Sequence, residues 1–103
     1  MKEIGIRKEA IKILEKEKWI VWYPSKTRWK KEQDIFGVFD LIVLKPLPYG
    51  NRIDFIQLTT LSNVRAREKK IKNWFTKNKI KSFPAKVWGW NNKKKEFKIL
   101  EVK

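Results

Sequence analysis

The sequence predicts an α/β fold: one domain spanning residues 1–103, with a central mixed β-sheet flanked by helices in the order α-β-β-β-α-β-β. Two observations carry this. Apolar residues recur at helical spacing near residues 4–17 and 64–78, and short runs rich in β-branched and aromatic residues fill the rest. A chain of 103 residues, 42% hydrophobic and with no linker, internal repeat or low-complexity segment, suffices for a single core.

In the first helix, Ile6, Ala10, Ile13 and Leu14 fall at i, i+4, i+7 and i+8 and make one apolar stripe. Glu9 borders that stripe, either as a surface carboxylate pairing with Lys12 or Lys16 or as a half-buried one. Trp19-Ile-Val-Trp-Tyr23 reads as a short strand closed by Pro24. The basic stretch Ser25–Lys31 reads as a loop. In it Lys26, Arg28 and Lys30 surround Trp29, which either stacks on bases or caps the edge of the core.

Strands are expected at about Phe39–Leu44 and Arg52–Thr59. They are joined by Lys45-Pro-Leu-Pro-Tyr-Gly-Asn51, whose prolines and Gly-Asn pair suit a hairpin turn. Period two sets Ile53, Phe55, Gln57 and Thr59 on one face of the second strand and Asp54, Ile56 and Leu58 on the other. Leu61-Ser-Asn63 supplies helix-capping residue types. Val64, Ile71, Trp74 and Phe75 then form the second helix's apolar stripe, and Arg65, Lys69 and Lys72 a basic ridge on a different face. Ala85–Trp90 and Phe97–Val102 complete a last hairpin, with Trp88 and Trp90 expected to cover a core face.

Charge narrows the partner. The chain carries 26 Lys and Arg against 11 Asp and Glu, net +15, and residues 61–103 contribute +11 of it. Such a field favours polyanions, nucleic acid first among them. The plainer alternative is a Lys-rich, thermophile-like surface. With no Cys and no His, disulfides, thiolate or imidazole metal sites and Ser-His or Cys-His nucleophiles are excluded. No apolar run is long enough for a membrane span or an export signal, so a cytoplasmic protein with no membrane partner is expected.

The polar residues within the central strands invite a functional reading, because buried polar groups cost stability unless satisfied. The hairpin brings Asp40 toward Gln57 and Thr59. This arrangement resembles the core of the restriction-endonuclease-like superfamily, the PD-(D/E)XK nucleases, and among them the archaeal Holliday junction resolvases. The resemblance covers most of residues 5–78: Gly5 followed by Glu9, the strand Trp19–Tyr23, Asp40 before Leu-Ile-Val, then Gln57-Leu58-Thr59, a polar loop and a basic helix.

The resemblance implies that Asp40, Gln57, Thr59 and Glu9 form a catalytic site. Asp40, Glu9, the Gln57 side-chain oxygen and the Leu58 carbonyl would hold Mg²⁺ or Mn²⁺. The family pattern is Glu-x-Lys where this chain has Gln57-Leu58-Thr59. Thr59 supplies no ammonium, and Lys26 or Arg67 are the candidates for a substitute cation.

Three readings follow: a metal-dependent DNA endonuclease, structure-specific and weakly active; a non-catalytic DNA- or RNA-binding module on the same scaffold; and an assembly subunit. Nucleic-acid contacts are expected from Lys26, Arg28, Trp29, Lys30, Arg65, Arg67, Lys69 and Lys72. The partner expected is DNA, and a homodimer is compatible with the sequence.

Overall fold

In the computed structural model, which describes residues 3–24 and 34–103, the apolar stripes and alternating runs settle into two helices and five strands. The helix α1 (Glu3–Lys16) leads into β1 (Ile20–Trp22), then β2 (Leu41–Leu47) and β3 (Gly50–Thr60). A single 3-10 turn (Leu61–Asn63) enters α2 (Val64–Lys77), followed by β4 (Ala85–Asn91) and β5 (Glu96–Val102). The α-β-β-β-α-β-β order is the expected one. The loop with Lys26, Arg28, Trp29 and Lys30 lies outside the described residues.

The strands form one sheet in the order β1-β2-β3-β4-β5. Every neighbouring pair is antiparallel except β3 and β4, which α2 joins as a crossover and which therefore run parallel. Period two then divides the core. On one face Leu41, Val43, Ile56, Leu58, Trp88 and Trp90 pack against Ile6, Ala10 and Leu14 of α1. On the other, Phe39, Ala85, Val87 and Val102 pack against Val64 and Ile71 of α2. An aromatic group centred on the fully buried Phe39 joins that second layer, with Phe55 and Phe83 at 5.5 and 5.7 Å and Trp74 edge-on at 5.6 Å.

Both helices end in the same way. The Trp19 N–H donates to the Leu14 carbonyl at 3.0 Å with Lys18 at φ +70°, and the Ile80 N–H donates to Phe75 at 2.8 Å with Lys79 at φ +53°. These are left-handed helix terminations with lysine where glycine would carry less strain.

Two details depart from the expectation. The strand β2 continues through Lys45, Pro46 and Leu47, so the hairpin turn shrinks to Pro48-Tyr49. Pro46 is tolerated because β1 pairs no further than Leu44, so no described strand needs an N–H from Pro46 on the outer edge of β2. The capping residue types before α2 do not cap it through their side chains. Instead the Asn63 amide donates to Thr60 Oγ1 at 3.1 Å, which also lies 3.2 Å from Ser62 Oγ.

Candidate functional site

Asp40 sits where β2 and β3 diverge. Its N–H donates to the Ile56 carbonyl at 2.8 Å, the last rung of the ladder on that side. Before it the chain turns away through Ile35–Phe39, with Phe36 and Gly37 at φ +56° and +71°. The next donor on β3, the Leu58 N–H, faces no β2 strand residue, and Asp40 Oδ2 accepts it at 2.7 Å. The same oxygen accepts from Gln57 Nε2 at 3.0 Å. Asp40, one residue before β2, thus meets Gln57 of the neighbouring β3.

Gln57 is buried, and its Nε2 also stands 3.4 Å from the Leu58 carbonyl, so the amide nitrogen lies between a carboxylate and a carbonyl oxygen. Its Oε1 is buried with no hydrogen-bond partner among the described residues. Thr59 shares this face, buried opposite Gly89 of β4 and next to the start of α2. Glu9 belongs to α1, which packs on the other face, and makes no hydrogen bond or ion pair to Asp40 or Gln57. The Leu58 side chain is part of the α1 core, and only its backbone N–H joins the fork in which Asp40 Oδ2 accepts from both Leu58 and Gln57.

A divalent cation needs several anionic oxygens free to point at it. Among the described residues no three His, Cys, Asp or Glu side chains are grouped to hold a metal ion. The one carboxylate of the fork is already bonded to an N–H and an amide. As arranged, these residues do not fit a resident Mg²⁺ or Mn²⁺.

The basic residues cluster elsewhere. Arg65 and Lys72 of the expected ridge are exposed and share Glu68, at 3.2 and 3.7 Å, while Lys69 is exposed and Arg67 half-buried. One cleft of about 800 Å³ at the far end of α2 is lined by Lys72, Lys79, Lys81 and Lys103 around Phe75 and Phe83. A second, of about 550 Å³, lies between the start of α2 and β5, with Arg65, Lys94 and Lys98 on its wall. Periodicity could not group Lys79 and Lys81, in the connector after α2, with Lys103, which follows β5; the sequence signal was the +11 charge of residues 61–103.

Buried polarity also exists on the α1 face. Asp54 is buried, with Oδ2 at 3.0 Å from Lys86 Nζ and 3.5 Å from Arg52 Nε. Trp88 and Trp90 are core residues there, as expected.

Fold and fork together define an α/β domain with a five-stranded mixed sheet, and no helix among the described residues is long and apolar enough to cross a membrane. Comparison with protein-family models, with curated proteins and with solved structures yields no match.

Proposed function

We propose that this chain is a nucleic-acid-binding module, DNA being the expected partner, on a nuclease-like α/β scaffold. The observation that carries this reading is the pair of clefts flanking α2, where seven cations meet only two carboxylates, Glu96 and Glu101. Phosphates entering the clefts would be neutralised by lysines from α2, β5, the two connectors beside β4 and the chain end. Counterion release then makes binding salt-dependent: about five phosphate contacts weaken binding several hundred-fold between about 50 and 200 mM salt.

Fluorescence anisotropy with duplex and single-stranded DNA tests it. Replacing Lys79, Lys81 and Lys103 by Ala should weaken binding to all sequences alike and reduce the salt slope by about three. Binding that ignores salt would favour the assembly-subunit reading.

A second reading, a weak metal-dependent endonuclease, is favoured by one observation, the buried Gln57 Oε1 beside Asp40, which has no partner among the described residues. Turned about its last torsion, the amide would present that oxygen toward Asp40 Oδ2 and the Leu58 carbonyl. The absent ammonium at Thr59 costs such a site on the order of 10²–10³ in rate. Cleavage of branched and linear DNA in Mn²⁺ separates the two readings, using the parent and the Gln57→Glu/Thr59→Lys variant. A folded double variant that binds DNA and cuts none leaves the binding module.

A further inference from the structure

We infer that the half of the sheet left open by the described residues, on the α2 side of β1, β2 and the start of β3, is a self-association face that seats a second copy of this chain. The helix α2 rests on β3, β4 and β5, and among the described residues no element lies over β1 and β2 on that side. The registers line up two apolar rows there: Ile20, Leu44 and Ile53, then Trp22, Ile42 and Phe55. Ile20 is 57% exposed, Trp22 56% and Ile53 45%. Phe36, 62% exposed, extends the surface beside Phe55 toward Trp74.

What is missing from this surface is charge. The chain is 36% charged, yet neither row holds an ionisable side chain, and the next pair, Pro46 and Asn51, holds none. On the opposite face the same strands carry Asp54, Lys45 and Arg52. The open area of Ile20, Trp22, Ile53 and Phe36 comes to on the order of 450 Å² per copy, around the largest patch a typical monomer leaves bare. It is rather more than half of the roughly 800 Å² per partner of a standard interface, which suits a dimer of modest affinity.

Nucleic acid is the poorer occupant: the rows offer phosphates no cation, and their aliphatic members cannot stack. A flat apolar sheet face meets its own copy about a two-fold axis without leaving any charge buried and unpaired. Among the described residues the two rows carry no charge, and the net +15 of each copy opposes association at long range. Self-association should therefore strengthen with salt, opposite to phosphate binding. The inference does not depend on the nucleic-acid reading.

Sedimentation equilibrium of the intact chain tests it, at about 5–200 µM protein in low and high salt across the range where screening changes strongly. The expected result is a species of twice the 12.5 kDa monomer, with a dissociation constant several-fold lower in high salt. The uncharged Trp22→Ser/Ile53→Ser variant should be monomeric throughout with an unchanged circular dichroism spectrum. Ile20→Ser alone should weaken the dimer, should the double variant fold poorly. Ile99→Ser, at a side chain 52% exposed on the other face, should leave the dimer intact. A parent chain that stays monomeric in high salt overturns the inference, as does a folded Trp22→Ser/Ile53→Ser dimer. A monomeric parent whose DNA affinity falls on the same double substitution would show that the face binds bases instead.

Discussion

Replacing Asp40 by Ala separates two accounts of the fork by sign. If Asp40 were one of a cluster of carboxylates waiting for a metal, removing it would relieve repulsion and raise stability. The geometry assigns it the opposite role. Its Oδ2 is the acceptor for the Leu58 N–H at 2.7 Å and for Gln57 Nε2 at 3.0 Å, and both Leu58 and Gln57 are only 3% exposed. Asp40→Ala strands the buried Leu58 N–H and leaves the Gln57 amide only its 3.4 Å contact with the Leu58 carbonyl. At about 1–3 kcal/mol for a stranded donor and rather less for the second, a loss of about 2–5 kcal/mol is expected. With a urea slope of about 1.5 kcal/mol per molar, a mid-range loss of about 3 kcal/mol lowers the denaturation midpoint by about 2 M. Asp40→Asn keeps an acceptor oxygen and should lose clearly less. In the Asp40→Ala background, Gln57→Leu should recover about 1 kcal/mol by removing the stranded amide, a non-additivity that a double-mutant cycle reads directly. An Asp40→Ala midpoint equal to or above the parent's would refute this account and revive the acidic-site one.

Three further outcomes are expected. Gly89→Ala should destabilise by about 1–3 kcal/mol in urea denaturation, because its Cβ would run into Val64 Cγ2 and sit 3.2 Å from Leu61 Cα; Val64→Ala should rescue part of it. Lys79→Gly should stabilise by about 0.5–1 kcal/mol, read as a higher thermal midpoint, by relieving the left-handed backbone at φ +53° that ends α2. Glu68→Gln should raise DNA affinity a few-fold and steepen its salt dependence in anisotropy titrations, because it frees Arg65 and Lys72 from their shared carboxylate.

How much of this was legible in the sequence follows from how local each feature is. The stripes of α1 and α2 and the alternation in β3 are written in consecutive residues, so their faces could be assigned before any coordinates. Asp40 and Gln57 could be brought together because a short hairpin joins their strands. The extension of β2 through Pro46 could not, because a proline ends a strand only where its missing N–H is needed. That depends on where the pairing with β1 stops, at Ile20 opposite Leu44. The same limit hid the lysine cleft: Lys72 and Lys79 belong to α2 and its end, whereas Lys103 arrives beside them by way of β5. Asp54 could be given a face but not its partner Lys86, thirty-two residues away across the α2 crossover. The fork's chemistry was legible only in part, since which donors the Asp40 carboxylate accepts is set by where the ladder ends.

Gly89 carries a further consequence for how β4 finds its place. Parallel strands joined by a helix have no tight turn to fix their alignment, and a slip of two residues would leave every side chain on its proper face. With Thr59 opposite Gly89, the one residue without a Cβ lies beneath Val64. Moved by two in either direction, β4 would bring Val87 or Asn91 under that methyl group, and neither fits the space. In one of those directions Lys86 would also be carried away from Asp54, leaving a buried carboxylate short of its nearest cation. The absent side chain thus works as an index notch: it rejects the near-miss threadings that hydrophobic patterning alone would accept.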